Sequence, residues 1–301
     1  MDGAERVTRA AALAAAAPER IVVVVGPTAS GKTELAVRLA ERIDAEIVSV
    51  DSVQIYRGFD IGSGKPSKEE LAGAPHHLIG VLEPLEQIDA ARFASLAHAA
   101  IDDIRGRGKR VVVCGGTFLW AKALLYGLAE APSANAAIRA RHDAIAKERG
   151  RTALHDDLKR IDPDSAARLH PNDLVRVSRA LEVHELTGTP LSVWQREHAF
   201  KDARYDASLV AVRFTPEELT ARIQARVHGM LAAGWRDEVK GLVAAGFAAA
   251  RAMSAVGYRE VRASLAGELP ESELEATIVR ATRVFARRQR TWLGREPVTW
   301  L

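Results

Sequence analysis

The sequence has little cysteine and no long hydrophobic run. Cys114 is its single cysteine among 301 residues, which excludes an internal disulfide framework and a cysteine-based zinc site. No apolar stretch approaches the roughly 20 residues that span a bilayer, so we expect no membrane contact. Residues 1–20 are alanine-rich, but charges such as Asp2 and Glu5 interrupt them and no signal-peptide core is present. We expect a flexible N-terminal extension or a capping helix there, and a cytoplasmic protein.

Acidic residues are absent from one stretch near the C-terminus. The whole chain has a net charge of +3, which permits a nucleic-acid partner without demanding one. Residues 276–295, however, contain six arginines and no acid. At helical spacing, four of them fall within about one quadrant of a helix: Arg280, Arg283, Arg287 and Arg290. A solvated helix face is the alternative, but a helix face that carries only positive charge favours a polyanionic partner.

A phosphate-binding loop follows the first apolar segment. Ile21–Val25 consists of five β-branched residues and predicts a buried strand. The next eight residues match G-x-x-x-x-G-K-[ST], whose backbone amides cradle phosphates at a helix N-terminus. They are Gly26, Pro27, Thr28, Ala29, Ser30, Gly31, Lys32 and Thr33. Lys32 would reach the outer phosphates and the Thr33 hydroxyl would ligate Mg²⁺. The motif predicts a bound diphosphate and does not distinguish ATP from other diphosphates.

Strand and helix patterns alternate along much of the chain. Strands are predicted at 46–50, 110–114 and 209–214, and helices at 90–106, 119–126 and from Pro216 to about residue 233. Such alternation predicts an α/β fold, a P-loop NTPase-like parallel sheet covered by helices. Residues 132–204 contain only helical patterns. We therefore expect an α/β core from 21–131 and 205–301, with C-terminal helices, and an inserted helical subdomain at 132–204.

Polar motifs follow three of the predicted strands. The phosphate loop, Asp51-Ser52-Val53-Gln54 and Gly115-Gly116-Thr117 should meet at one crevice, because ligands bind beyond the carboxyl ends of parallel strands. Asp51 could hold Mg²⁺ through water, act as a general base, or simply cap a helix. Gly115 and Gly116 occupy the place where a motor ATPase has an acid, which favours group transfer over hydrolysis. These glycines would allow close approach of a substrate or form a tight turn.

Taken together, these motifs resemble the tRNA dimethylallyltransferase family, also called tRNA isopentenyl transferases. The resemblance runs from Ile21 to the C-terminus and rests most specifically on D-S-x-Q-x-Y, HPND and RRQxTW. The matching segments are the phosphate loop, Val50–Pro66, APHH at 74–77, GGT at 115–117, APSA at 131–134, HPND at 170–173, RVSRALEV at 176–183, VGYRE at 256–260 and ARRQRTWL at 286–293.

The resemblance implies transfer of a dimethylallyl group from dimethylallyl diphosphate to N6 of the adenosine immediately 3′ of the tRNA anticodon. The product would be N6-(dimethylallyl)adenosine. We expect Mg²⁺ as the cofactor and a monomeric enzyme. Lys32 would neutralise the departing diphosphate, Asp51 would accept or orient the N6 proton, and Thr117 would position the amine or the diphosphate. Gln54 would read the adenine edge. The adenosine must be flipped out of its loop to reach these groups.

The same resemblance implies which residues contact the anticodon stem-loop. Arginine and aromatic side chains suit phosphates and unstacked bases. A core position would explain Trp292 equally well. Intrahelical ion pairs with Glu182 or Glu185 are the alternative for Arg176 and Arg179, where the family motif favours RNA. The implied tRNA contacts are Asp51, Ser52, Val53, Gln54, Thr117, Arg139, Val175, Arg176, Val177, Ser178, Arg179, Arg287, Arg288, Gln289, Arg290, Thr291 and Trp292.

The sequence departs from the family after Thr117, where Phe118 and Trp120 replace a small residue and a tyrosine and could reshape the prenyl pocket. Three other functions remain open. An adenine-nucleotide isopentenyltransferase would need no extended basic surface, a P-loop small-molecule kinase would consume ATP, and a non-catalytic, nucleotide-gated RNA-binding protein would form no product.

Overall fold

The computed structural model describes residues 2–301, apart from the side chain of residue 151. The chain divides into two compact units: the first comprises the residues up to Tyr126 together with Ala203–Leu301, and the second comprises Gly127–Asp202. The second unit begins and ends slightly before the predicted 132–204 insertion. Residues 127–135 form neither helix nor strand, so no periodic pattern marks the boundary.

A parallel six-stranded sheet forms the centre of the first unit, with strand order β3-β2-β4-β1-β5-β6. Two of its inner strands, residues 21–25 and 45–50, are buried along their whole length, and the strand between them is buried except for its first residue, Arg110, which is typical of a sheet covered by helices. The predicted α/β class is therefore confirmed. The strands are β1 (Ile21–Val25), β2 (Ala45–Val50), β3 (His76–His77), β4 (Arg110–Gly115), β5 (Ala207–Ala211) and β6 (Thr299–Trp300).

Fourteen α-helices lie within the part of the chain that the structure describes. Those of the second unit are α6 to α10, and short 3₁₀ turns at 247–249 and 251–254 precede α13. In chain order they are α1 (Gly3–Ala16), α2 (Lys32–Ile43), α3 (Lys68–Gly73), α4 (Ala90–Gly106), α5 (Phe118–Tyr126), α6 (Ala136–Arg149), α7 (Arg151–Ile161), α8 (Pro163–Arg168), α9 (Leu174–Thr187), α10 (Leu191–His198), α11 (Pro216–Ala232), α12 (Trp235–Ala244), α13 (Tyr258–Leu265) and α14 (Glu271–Leu293).

The N-terminal segment is a helix and not a flexible extension. The Asp2 side chain caps α1 by accepting a hydrogen bond from the Glu5 amide at 2.8 Å. Val7, Ala10 and Ala14 are buried in the core that β1, α2 and β2 share. The capping-helix alternative is therefore correct, because small alanine side chains pack closely against the sheet. Met1 lies outside the described residues.

One strand prediction needs correction, and two short strands were missed. The strand predicted at 209–214 is Ala207–Ala211, because its register with β1 pairs Ala207 with Ile21. The two-residue strands β3 and β6 were not predicted, since so short a segment has no hydrophobic period. No helix in residues 2–301 has the length and hydropathy needed to cross a membrane.

Candidate active site

Three loops meet at one edge of the sheet, as the sequence predicts. Val25 and Val50, the last residues of β1 and β2, both pair with Gly115 at the end of β4. The phosphate loop, the Asp51 segment and Gly116-Thr117 therefore leave the sheet side by side. Residues of all three loops line a single cavity of about 520 Å³ in the first unit.

The phosphate loop has the conformation that anion binding requires. Gly31 adopts φ +73°, a left-handed conformation that glycine tolerates best, and α2 begins at the next residue, Lys32. The cavity is lined by Thr28 through Thr33, and the Ser30 hydroxyl is buried without a hydrogen-bond partner among the described residues. Desolvation lowers the pKa of Lys32. Loop amides and a lysine thus surround a space that suits a diphosphate.

Two arginines of α11 lie beside this loop and were missed from the sequence. Arg222 donates a hydrogen bond from Nε to the Ala29 carbonyl at 2.7 Å. Arg226, one helical turn later, lines the same cavity. The i, i+4 spacing of two arginines in a helix that follows β5 was the available signal. They add positive charge from α11, in addition to that of Lys32.

Asp51 is held by one of its two carboxylate oxygens. Oδ1 accepts hydrogen bonds from the amides of Val53 at 2.9 Å and Gln54 at 3.2 Å. Oδ2 has no hydrogen-bond partner in residues 2–301, and Asp51 lines the cavity. The carboxylate is therefore fixed in direction while one oxygen stays available for a proton. Ser52 and Val53 also line the cavity.

Thr117 also has a fixed orientation. Its hydroxyl accepts a hydrogen bond from the Ser52 amide at 3.1 Å, and its own amide donates to the Val50 carbonyl at 3.2 Å. The structure thus brings Thr117 and Asp51 together on neighbouring strand ends, as predicted.

The glycines before Thr117 serve internal packing. A Cβ on Gly115 would lie 2.1 Å from the Val50 carbonyl oxygen, and one on Gly116 would lie 2.5 Å from Nε2 of Gln289. Gln289 is buried but lines the cavity, so its predicted contact with tRNA stays a prediction. It accepts a hydrogen bond from the Thr28 amide and donates one to the Gly116 carbonyl, and thereby joins the two loops.

The Gln54 side-chain amide makes hydrogen bonds within the protein. Its Nε2 donates to the carbonyls of Gly64 at 2.9 Å and Ser63 at 3.3 Å, and its Oε1 lies 3.4 Å from the Ser49 hydroxyl. The side chain thereby holds residues 63 and 64, of which Ser63 lines the cavity; Gln54 lines it as well, so its adenine-reading role stays a prediction. No local sequence pattern shows that the carbonyls of residues 63 and 64 accept hydrogen bonds from Gln54.

Glu238 of α12 fixes residues 60–62, of which Gly62 lines the cavity, and it was not identified from the sequence. Its carboxylate accepts hydrogen bonds from three successive amides, those of Asp60, Ile61 and Gly62, at 2.9, 2.6 and 3.2 Å. The Tyr258 hydroxyl donates to it at 2.7 Å. Burial and the nearby Glu238 raise the pKa of Tyr258 above its usual range, so this hydroxyl remains a donor.

One part of the cavity wall is apolar, whereas Glu34, Glu70, Ser254 and Thr282 line other parts of it. The apolar part is formed by side chains of α11, α12 and the turn before α13, namely Ile223, Val227, Met230, Trp235 and Val256. Phe118 and Trp120 do not belong to it. Phe118 stacks on Trp292 with ring centroids 4.0 Å apart, and the buried Trp120 stacks on Phe93. Their departure from the family pattern therefore does not alter the cavity lining.

The arginine-rich helix α14 presents the single-sign face that the sequence predicts. Arg280, Arg283, Arg287 and Arg290 are exposed and line one groove against α11. Among the described residues, none of the four forms an ion pair with a carboxylate. Arg288 and Thr291 are also exposed, whereas Trp292 is half-buried against Phe118. This face remains a candidate RNA surface.

The predicted tRNA residues of the second unit have mixed environments. Val175 is exposed and Arg176, also exposed, pairs with Asp173 at 2.7 Å. Val177 and Ser178 are buried, so their side chains cannot contact RNA in this conformation. They lie on the inner face of α9, which packs on α7.

Arg139 and Arg179 both bind the fully buried carboxylate of Glu182. Arg139 makes two bonds of 3.0 Å and Arg179 makes one of 2.7 Å, while the Asn135 amide donates a fourth at 2.5 Å. Arg179 thus forms the intrahelical pair that was the alternative to an RNA contact. Both arginines organise the helical unit.

Metal ligands are sparse in the site. No group of three or more His, Cys, Asp or Glu side chains within residues 2–301 could enclose a metal ion. Thr33 and Asp51 do line both the main cavity and a smaller adjoining pocket. One or two oxygen ligands, completed by water and phosphate oxygens, are what Mg²⁺ ordinarily uses at phosphate sites. The donor set therefore fits Mg²⁺.

Comparisons with known proteins agree on one family. The family model described as IPP transferase matches residues 54–296. The tRNA dimethylallyltransferase of Sorangium cellulosum is 60% identical over 96% of this chain and 92% of its own length. The tRNA dimethylallyltransferase 1 of Pelobacter propionicus is 48% identical over 94% of this chain and 92% of its own.

Solved structures give the same result. The full-length tRNA isopentenylpyrophosphate transferase from Bacillus halodurans is 37% identical with a TM-score of 0.69, and the match covers 94% of this chain and 89% of that one. A eukaryotic dimethylallyltransferase acting on tRNA is 28% identical with a TM-score of 0.76, over 91% and 70% of the two chains.

Proposed function

This chain belongs to the IPP transferase family, and we propose that it transfers a dimethylallyl group from dimethylallyl diphosphate to tRNA. The acceptor is N6 of the adenosine immediately 3′ of the anticodon. The observation that carries the proposal is one cavity that joins a phosphate loop, an available carboxylate oxygen and an apolar wall. The proposal includes a cytoplasmic location and a monomeric enzyme.

The two ends of the donor match the two chemical environments of the cavity. The diphosphate would bind to the loop amides and to Lys32, with Arg222 and Arg226 adding positive charge from α11. The hydrocarbon would lie against the apolar wall, where burying it is favourable. Because the C1–O bond breaks as diphosphate departs, cations fixed around the leaving group stabilise the transition state more than the ground state.

The acceptor nitrogen is activated from the neighbouring strand end. As N6 forms its bond to C1 of the donor, it loses a proton, and the free Oδ2 of Asp51 is placed to accept it. The two amides on Oδ1 keep the carboxylate from rotating. Thr117, fixed through Ser52 and Val50, would orient the adenine or the diphosphate.

Mg²⁺ is part of the proposal. Thr33, the second residue of α2, would hold the ion directly, and Asp51, the residue after β2, would hold it through water. Bound Mg²⁺ would neutralise negative charge on the diphosphate.

The unpaired arginines of α14 supply the RNA surface. A row of exposed guanidinium groups without acidic neighbours suits a phosphate backbone. Arg176 and Val175 offer further exposed positions in the helical unit, whereas Arg139 and Arg179 would act by keeping that unit folded.

Mass spectrometry of nucleosides tests the function. Purified protein is incubated with Mg²⁺, dimethylallyl diphosphate and either unmodified tRNA or AMP. We expect N6-(dimethylallyl)adenosine from the tRNA reaction and none from AMP. Product from AMP alone would establish the adenine-nucleotide enzyme, and ATP consumption without either product would establish a kinase. RNA binding with no product would leave the non-catalytic alternative.

A further inference from the structure

Helix α14 has two functional faces. Thr282, Phe285 and Gln289 line the catalytic cavity, while the four arginines at 280, 283, 287 and 290 line the groove against α11. The helix therefore separates the arginine groove from the cavity. Ile223 of α11 lines both the groove and the cavity, so the two lie close together, and an RNA whose backbone lies in the groove can cross α14 to place a base in the cavity.

Phe285 occupies the point of crossing. It lines the cavity and is 40% exposed, so it lies where the cavity opens to solvent. Among the described residues it has no ring-stacking or cation–π partner, whereas Phe118 stacks on Trp292 and Tyr258 packs on Trp235 and Phe59. Its neighbour Val284 is exposed as well, and lines the groove on the other side.

We propose that Phe285 stacks on the base that neighbours the target adenosine in the RNA. The inference rests on the function proposed above. A flipped adenosine leaves the next base without its stacking partner, and an aromatic ring at the mouth of the cavity replaces that partner. Stacking of this kind tolerates any base, because every base has a π-face.

Matched substitutions separate stacking from simple apolar contact. Phe285→Leu keeps a bulky apolar side chain and removes the π-face, while Phe285→Trp retains one. We expect Phe285→Leu to raise the KM for an anticodon stem-loop about tenfold, within the range for losing one base–aromatic stack. Phe285→Trp should restore the wild-type value, and the KM for dimethylallyl diphosphate should be unchanged in both. Leu265→Ala, an exposed apolar residue on α13, is the control.

A second arm changes the RNA and leaves the protein intact. Stem-loops with an abasic residue on either side of the target adenosine are compared with the complete substrate. For wild-type enzyme, the KM should be about tenfold higher for one of the two abasic RNAs than for the complete stem-loop. The Phe285→Leu enzyme should have the same KM for that abasic RNA and for the complete one. Equal KM values for all substrates, or a Phe285→Leu enzyme that still distinguishes them, would overturn the proposal. Absence of product from wild-type enzyme and complete substrate would instead refute the proposed function.

Discussion

Gln289, near the end of α14, accepts a hydrogen bond of 2.9 Å from the amide of Thr28, 261 residues earlier in the chain. Its other amide atom donates to the Gly116 carbonyl at 3.0 Å. A single buried side chain therefore fixes the separation between the phosphate loop and the loop that carries Thr117. The geometry of the diphosphate site depends on a helix whose opposite face carries the arginine groove.

Gln289→Ala should loosen the donor site. The substitution leaves an amide and a carbonyl unpaired in a buried position, at about 1–3 kcal/mol each. We expect an increase of about tenfold in the KM for dimethylallyl diphosphate, the equivalent of 1.4 kcal/mol, and no change in the KM for tRNA. Steady-state kinetics with each substrate varied in turn measures both. An increase confined to tRNA would support a direct RNA contact and contradict the assignment.

Glu238→Gln should disturb the cavity wall without touching substrate. A neutral amide offers one acceptor where the carboxylate serves three backbone amides and the Tyr258 hydroxyl. We expect the free energy of unfolding to fall by about 1–3 kcal/mol. Turnover should fall as well, because residues 63 and 64 bind the side chain of Gln54 and the backbone amide of Gln54 holds Asp51. Urea denaturation and kcat are the measurements, with the exposed Asp237→Asn on the same helix as control. Equal behaviour of the two variants would remove Glu238 from this role.

The buried Glu182 should make the protein less stable in acid. Burial alone would raise the pKa of Glu182, but the hydrogen bonds from Arg139 and Arg179 outweigh it and hold the pKa below the ordinary value of 4.5. A carboxyl whose pKa is lowered by folding stabilises the protein above the unfolded value, and this contribution is lost as the pH falls through the folded value. Thermal unfolding from neutral pH to below pH 4.5 should show the loss.

Replacement of that carboxyl provides the comparison. Glu182→Ala should destabilise the protein at neutral pH by about 1–3 kcal/mol, because the Asn135 amide loses its acceptor, while Arg139 and Arg179 are partly exposed to water. It should also flatten the acid dependence. Glu148→Ala, an exposed acid on α6, serves as control. An unchanged acid dependence in Glu182→Ala would assign the acid sensitivity to other carboxyls.

The arginine groove predicts a change in salt dependence. Arg287→Gln should lower the slope of log K against log salt for tRNA binding by about 0.7–0.9, the value for one lost phosphate contact. Arg176→Ala should lower it less, since Asp173 already neutralises that side chain. Lys240→Gln, an exposed cation on α12 outside the groove, should leave the slope unchanged. A larger decrease in the slope for Arg176→Ala than for Arg287→Gln would indicate that the main RNA surface lies in the helical unit.

Local sequence patterns predict what is local in this structure. The five β-branched residues before Gly26 specify a buried strand, and the glycines and Lys32 after them specify the phosphate loop. The arginine period predicts the single-sign face of α14. The convergence of Asp51 and Thr117 follows from one rule, that parallel strands end at the same edge.

Contacts between distant segments were not predictable in this way. Nothing near Glu238 or Gln289 in the sequence shows that each holds a loop more than a hundred residues away. A motif likewise identifies a segment without showing which way each side chain faces. Val177 and Ser178 belong to a matching segment, and yet both are buried in the helical unit. Arg179 is in the same segment and is bound to Glu182.

Mapping of the modified tRNA with wild-type protein and Asp51→Ala side by side tests the central claim most directly. Both proteins are incubated with unmodified tRNA, Mg²⁺ and dimethylallyl diphosphate, and the nuclease fragments are sequenced by tandem mass spectrometry while binding is measured in parallel. We expect wild-type protein to place one dimethylallyl group on N6 of the adenosine after the anticodon. Asp51→Ala should bind tRNA equally well and react at least about a hundredfold more slowly, as loss of a general base requires. Unmodified tRNA from active wild-type protein, or equal rates from the two proteins, would contradict the account.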